Sequence, residues 1–483
     1  MSAEAQTAPQ PGRVVVVAPM PPEKSAYALA RYSRSPDSVA QSLEWVRSHD
    51  SARFLESFYF EYGHASIADL GHAILCFEGV SELAAIEIED EPLWDGQAKS
   101  SRYQDFAVGG FVTPPELEGA DAEAYAHAAE ALLEAYNRLH AQLAGHLTVK
   151  YPRPNVLAEG RYRRTIEARA YDVARYLLFL GISTNIGQVT SIRTLEKQMR
   201  RMAVSRYREP QELAEEMKRA CAAPPGCVWD GAQSTEPLAP TLARHAEPDQ
   251  FARESRDRLA RWAAENLSLR SADVPDVDLA PRADPLDEIA ATLLYPVVDL
   301  PYRAIVDAVS GWNRPRKREI LDVALEGRER REELPRAFRS GYSYVFDIVC
   351  DIGAYRDLHR HRRCQQIRQN FTEALGAETP DLVGEFRIEK EYRAALDAAA
   401  AARQSLPPSA RDYLLPFATR CRSLFKMDFA EAEYISRVRS SVKGHISYRR
   451  VAWQIRERIL EREPDLGCLI QATPPEVEDP LTR

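Results

Sequence analysis

Apolar and polar positions along the chain fall into two similar series separated by a proline-rich stretch. Residues 13 to 18, RVVVVA, form a β-branched run of the kind that buried strands are made of. Prolines 19, 21 and 22 punctuate it, and from Lys24 to about Tyr62 the apolar spacing predicts helix. Residues 72 to 80, HAILCFEGV, predict a second strand, and the Ala- and Leu-rich residues 121 to 148 a long helix. Further helical runs cover 165 to 181 and 190 to 220. Residues 222 to 250 are rich in Pro, Gly and Ala and read as a linker. A short helical stretch follows at 251 to 266, then more linker at 272 to 286.

The second series opens on the apolar stretch Ile289 to Val309. Residues 342 to 350, YSYVFDIVC, predict a strand ahead of a basic segment. Residues 390 to 404 predict an Ala-rich helix, and two more helical stretches end the chain. The order strand, polar loop, long helix, Arg-bearing helix, amphipathic helix thus occurs twice, as a duplication produces. The expected division is a tail at 1–12, a domain at 13–221, a linker with a short helical stretch at 222–285, a second domain at 286–475 and a tail at 476–483.

Composition narrows the class. With 45% hydrophobic and 28% charged residues the chain reads as globular, and 483 residues suit about two or three domains. No apolar run approaches the ~18 residues that span a bilayer. The first twelve residues lack the basic start and apolar stretch of a secretory signal. Seven scattered cysteines, in no metal-ligand spacing, suit reduced thiols in a cytoplasmic protein. A net charge of −9 disfavours nucleic acid as a partner.

Two segments carry chemistry. Ser100, Ser101 and Arg102, followed by Tyr103, offer hydroxyls and a forked guanidinium, the donors a phosphate monoester needs. Taken alone, a surface loop with a stray arginine is the better explanation. Arg360, His361, Arg362 and Arg363 after Leu358-His359 repel one another unless an anion sits among them. A solvated basic face is the alternative, and the apolar residues just upstream weigh against it. Cys364, beside Arg362 and Arg363, reads as a buried inert thiol, and His445 as a surface residue.

These segments, in this order, resemble the flavin-dependent thymidylate synthase (ThyX) family. Its signature is Arg-His-Arg-x-x-Ser-x-Asn-x-x-Ser-x-Arg-Tyr, after a strand that itself follows Gly-His-x-Ser. The first half has Gly63-His64-Ala65-Ser66 and the tail Ser100-Ser101-Arg102-Tyr103, but Asp90-Glu91-Pro92 in the Arg-His-Arg slot and Gln97 in the asparagine slot. Ser33 in Ala30-Arg31-Tyr32-Ser33 is similar to a flavin-approaching serine. Arg175 is similar to a phosphate-binding arginine, Arg193 to a flavin-contacting one and Arg201 to the one facing the uracil. In the second half Arg360-His361-Arg362 is intact, while Gln365, Ile367, Asn370 and Thr372 replace the tail. Ala410-Arg411 with Leu414-Leu415-Pro416 matches the family's Ala-Arg-x-x-Leu-Pro, and Arg437 or Arg439 stands where a base is faced.

The resemblance implies tandem α+β domains, each a small, mostly antiparallel sheet packed with long helices. It implies FAD as cofactor, NADPH and methylenetetrahydrofolate as co-substrates, and methylation of dUMP to dTMP. It further implies a homodimer forming a pseudo-tetramer, with no nucleic acid, membrane or metal involved. On this reading Arg360, His361 and Arg362 hold flavin with Ser33 and Arg193. Ser100, Ser101, Arg102 and Tyr103 hold the nucleotide with Arg175, Arg439 and, across the interface, Arg411, and Arg201 and Arg411 act in catalysis. Two alternatives stay open. One is a non-catalytic nucleotide-binding or scaffold protein, with Asp90 and Glu91 in salt bridges between the halves. The other is a flavoenzyme for another pyrimidine nucleotide.

Overall fold

The computed structural model describes residues 20–33, 35, 38–57, 65–102, 104–228, 236–329, 332 and 334–481. The strand expected at 13–18, the Tyr62-Gly63-His64 segment and Tyr103 lie outside them. The chain forms two compact units.

One unit comprises residues 1–73, 191–196 and 216–246. The single helical run expected from Lys24 to Tyr62 is here three helices, Pro22–Tyr32, Val39–Arg47 and Ser51–Leu55. Capping decides the breaks. Ser38 and Gln41 form a reciprocal capping box, and the Asp50 carboxylate accepts from Ala52 N at 2.9 Å. Tyr27 stacks on Phe54 at 4.1 Å and meets Trp45 edge-on at 5.5 Å. The buried Glu23 carboxylate accepts from Thr241 N and Leu242 N at 2.7 and 3.0 Å. It thereby caps a short helix, Pro240–His245, inside the stretch expected to be linker.

The other unit comprises residues 74–190, 197–215 and 247–483 and holds nearly all of two antiparallel sheets. The first contains β1 (His72–Ser81), β2 (Asp95–Ala98) and β3 (Ser183–Ser191) in the order β1-β3-β2. The second contains β4 (Val277–Leu279), β5 (Tyr344–Asp351), β6 (Gln365–Arg368) and β7 (Arg420–Met427) in the order β4-β5-β7-β6. β1 alternates exposed and buried residues over most of its length. β5 is buried throughout, because helices Pro285–Leu294, Tyr302–Ser310 and Arg314–Leu325 cover its second face. The long helix, Gly119–Lys150, buries Tyr125, Ala129, Leu132, Tyr136, Leu139, Leu143 and Leu147, a stripe at three- and four-residue steps. It packs against helices Glu159–Ala174 and Glu389–Ser405. The architecture is α+β.

The duplication shows in individual hydrogen bonds. Glu82 N and Leu83 N donate to the Ile182 and Leu180 carbonyls at 3.0 and 2.8 Å. Ile352 N and Gly353 N donate to Thr419 and Phe417 at 2.9 and 3.2 Å. The Tyr125 hydroxyl donates to the Val112 carbonyl at 2.8 Å, as that of Tyr392 does to Glu378 at 2.7 Å. The halves also exchange bonds reciprocally. Leu180 N reaches Leu415 O and Phe417 N reaches Leu178 O, while Gly181 N reaches Tyr413 O and Ala418 N reaches Tyr176 O. Residue i meeting j while the counterpart of i meets the counterpart of j is the mark of a two-fold relation.

Several elements differ from expectation. β3, which lies almost wholly between two expected helical runs, and β7 are strands that the apolar spacing does not predict. The helix expected to reach 181 stops at Ala174, because residues 176 to 181 join the inter-half ribbon. The stretch 190 to 220 divides into the end of β3 and helices Ile192–Met202 and Arg208–Ala222. The expected linker at 272 to 286 contributes edge strand β4 and the start of a helix that the Asp284 carboxylate caps.

Candidate functional site

The helix Ile352–His359 leaves β5 with its first turn capped by Asp351, whose carboxylate accepts from Ala354 N at 2.8 Å. It ends with Arg360 as C-cap, so the basic run emerges where the helix dipole favours cations. The helix Glu82–Glu89 occupies the corresponding place in the first half and ends with Asp90 as C-cap.

Four arginines act on the Asp357 carboxylate, in the last turn of its helix. Burial raises its pKa, but Arg175, Arg102, Arg439 and Arg360 together bring it down to about 2. Arg175, only 2% exposed, donates from Nη1 to Asp357 Oδ2 at 3.1 Å. Its Nε and Nη2 are buried and make no hydrogen bond with the described residues. Arg102 donates from Nε to Asp172 Oδ1 at 2.6 Å, from Nη1 to the Tyr448 hydroxyl at 2.8 Å and from Nη2 to the Lys443 carbonyl at 2.7 Å. The guanidinium carbons of Arg102 and Arg439 stand 5.7 and 5.6 Å from the centre of the Tyr448 ring.

Arg439 Nε donates to His361 Nε2 at 2.7 Å. Burial, with Arg439 and Arg362 near, lowers the His361 pKa, although Glu431 opposes the shift. A neutral imidazole accepting at Nε2 suits that contact, and leaves its Nδ1 hydrogen toward Glu431 at 3.5 Å. The half-buried Arg360 side chain has no hydrogen bond or ion pair among the described residues. Arg362 lies over the Trp94 ring at 4.7 Å and reaches Asp95 at 3.3 Å. Nearby, burial pushes the Glu89 carboxyl up to about 7, against the pull of Arg360, Arg356 and Arg362.

The corresponding place in the first half is closed. Arg201 donates from Nε to Glu91 Oε1 at 2.8 Å and from Nη2 to the Glu87 carbonyl at 2.7 Å. Arg336, from the second half, pairs with Asp90 at 2.6 Å. Arg201 meets Glu91 just as Arg439 meets His361, so carboxylates of the chain itself sit where the second half leaves cations.

The structure thus brings Arg102, Arg175, Arg360, His361 and Arg439 together, with Arg362 alongside. Arg201 belongs to the closed counterpart. Arg411 lies elsewhere in the chain, donating to the carbonyls of Leu406 at 2.8 Å and Gln404 at 3.2 Å. The arginine that shares the field of Arg102 is Arg175 rather than Arg411. Ser101 is buried, and the Ser100 hydroxyl accepts from Arg102 N at 3.4 Å. Ser33 and Arg193 belong to the smaller unit, where Ser33 Oγ donates to the Ala30 carbonyl at 2.8 Å and Arg193 pairs with Asp69 at 2.9 Å.

His445 is not a surface residue. It is 2% exposed, contacts the Asp172 carbonyl through Nε2 at 2.8 Å and caps helix Ile446–Arg462. The Cys364 thiol is buried and its pKa pushed up, which keeps it unreactive. Asp357, Asp172, Tyr448 and Glu89 had no place in the sequence reading. An acid inside the basic run 356–363 was the available sign of Asp357.

The chain is thus a doubled α+β protein with guanidinium groups gathered where its halves meet. The family model described as "Thymidylate synthase complementing protein" matches residues 15–224 and 340–465, so the chain belongs to that family. The chain is similar to the UPF0159 protein of Chlamydia muridarum, at 26% identity over 435 residues covering 86% of this chain and 79% of that one. It is similar to a UPF0159 protein of Thermoplasma acidophilum, at 24% identity covering 92% and 94%. The flavin-dependent thymidylate synthase of Clostridium tetani is 26% identical over 199 residues, covering 41% of this chain and 76% of that one. Among solved structures, ThyX from Helicobacter pylori complexed with FAD and dUMP aligns at 14% identity over 42% of this chain and 89% of that one. Its TM-score of 0.28 is too low to place any residue.

Proposed function

We propose that the Asp357 cluster binds a flavin and a pyrimidine nucleotide, and that the chain is a flavin-dependent thymidylate synthase methylating dUMP to dTMP. Methylenetetrahydrofolate would be the carbon donor and NADPH the reductant. One observation carries the reading. Around Asp357 stands an arginine buried with two unbonded nitrogens, Arg175, and another with no hydrogen-bond or ion-pair partner among the described residues, Arg360. Buried polar groups are nearly always satisfied, so such nitrogens suit an anionic ligand.

FAD fits that donor set, since its diphosphate needs cations and planar forks. When bound, the flavin would supply the hydride. Arg360 and Arg362 would hold the diphosphate, and His361, neutral and fixed by Arg439, would shape the wall between them. Arg102 and Arg175 would take the nucleotide phosphate, with Asp357 preventing the arginines from repelling one another before the ligand arrives. Glu89, with its carboxyl pKa near 7, would hold or release a proton beside Arg360. Asp90 and Glu91 occupy the counterpart place, which favours one flavin per chain, and two chains would pair as a pseudo-tetramer.

The test is a titration of the purified protein with FAD, followed by flavin absorbance, with NADPH oxidation and dTMP formation measured in the presence of dUMP and the folate. The expected result is one FAD per chain in the wild type and none in Arg360→Gln. A protein that takes up no FAD would falsify the reading. NADPH oxidation that yields no dTMP with dUMP, but proceeds with another pyrimidine nucleotide, would move it to a different substrate.

A further inference from the structure

We propose that Tyr434 is the platform on which the isoalloxazine ring of the flavin stacks, at the exposed edge of the basic run. This assignment rests on the flavin reading, in which Arg360 and Arg362 hold the diphosphate and the ring system has no residue of its own. A flavin nucleotide joins an anion to a flat, largely apolar heterocycle, so its site needs an open apolar surface beside the cations.

Two of the described aromatic residues that pack on the arginines of this cluster are already covered. Trp94 is 2% exposed with Arg362 over its ring at 4.7 Å, and Tyr448 is 3% exposed with Arg102 and Arg439 beside it. Tyr434 is different. It lies on helix Phe429–Arg439, which also carries Arg439, and 46% of it is exposed. Its ring centre stands 5.7 Å from that of His361, with the planes at 69°. Its hydroxyl makes no hydrogen bond with the described residues, so no polar contact of theirs holds the ring.

Val438, one turn further along the same helix, is 38% exposed and extends the apolar strip. Arg437 stands 5.7 Å from the Tyr434 ring centre but pairs with Glu433 at 2.8 Å. His361 connects the strip to Arg360 and Arg362, its neighbours in the chain, so one short stretch joins cations to an aromatic surface. An isoalloxazine laid on Tyr434 would stack ring against ring and cover the exposed strip, while the ribityl chain led to the diphosphate.

Titration of the full chain with FAD tests the assignment, read by affinity and by the emission of the bound flavin, in the wild type, Tyr434→Phe and Tyr434→Leu. A tyrosine in contact with an excited isoalloxazine quenches it by lending an electron that then returns; phenylalanine stacks but cannot do so. Tyr434→Phe should therefore bind FAD nearly as tightly as the wild type, with a brighter bound flavin. Tyr434→Leu should bind about tenfold more weakly, the order of one aromatic stack on a planar heterocycle. Pyrophosphate, which has no ring, should bind the wild type and Tyr434→Leu equally. A loss there would make Tyr434 a support of the basic run and overturn the stacking. Equal FAD affinity and equal emission in all three proteins would overturn it too, and leave the flavin reading standing. A wild type that takes up no FAD would overturn both.

Discussion

Two carboxylates near the basic run depart from ordinary behaviour in opposite directions, and the difference lies in how well each is matched to its arginines. Arg175 bonds Asp357 directly, so the carboxylate stays charged down to about pH 2. A depressed folded pKa adds stability that is present above the unfolded value of about 3.9 and is lost as the pH falls through 2. The Glu89 carboxylate has arginines in its field but accepts no hydrogen bond from the described residues, and burial wins, with a pKa near 7. Between the unfolded value of about 4.3 and 7 the folded state keeps a proton that the unfolded state has released. Stability therefore falls as the pH rises across that window and stays lower above it. Glu89→Gln should remove this slope and raise stability at pH 8 by about 1–3 kcal/mol, with little gain at pH 4.5. Urea denaturation at the two pH values measures it, and an equal effect at both would assign the shift to packing. That Arg102 and the basic run 360–363 are candidate anion donors was legible because a forked guanidinium and clustered cations are marked by residue type alone. Asp357 and Glu89 were not, since a carboxylate's role here depends on which arginines the fold brings beside it.

Among the elements, the long helix and the strands β1 and β5 were legible from their apolar spacing. β3 was not, because its buried face carries Thr184, Gln188 and Thr190 as well as Ile186. Gln188 is tolerated because it has partners, whereas the Thr184 and Thr190 hydroxyls are buried with no hydrogen bond among the described residues. Trp94 Nε1 donates to Gln188 at 2.5 Å, Gln188 to Gln198 at 2.9 Å, and Gln198 to the Ile88 carbonyl at 2.7 Å. A strand read by hydrophobicity alone misses such a network. The ribbon between the halves depends on close approach at Gly181. A Cβ there would lie 2.1 Å from the Tyr125 hydroxyl and 3.0 Å from the Tyr413 carbonyl. Gly181→Ala should therefore destabilise the protein by about 2 kcal/mol or more, read as a lowered denaturation midpoint. A midpoint within error of the wild type would show that the ribbon yields easily.

For the whole molecule, duplication was the most legible property, since it needed only the order of elements to recur. How the repeats join was hidden, because main-chain bonds between residues 176–181 and 413–418 leave no mark on side-chain type. No helix among the described residues is long and apolar enough to cross a membrane. The apolar interior is continuous, running from Leu139 and Ile166 of the first repeat to Tyr392 and Phe425 of the second.

The reciprocal ribbon should make the covalent tether between the repeats dispensable once they have met. Cleavage within the exposed stretch near residue 270 should leave the pieces co-eluting on gel filtration, and separately expressed fragments 1–270 and 271–483 should find each other and reconstitute the parent. In kinship terms, the chain would then be a heterodimer that happens to be translated in one piece.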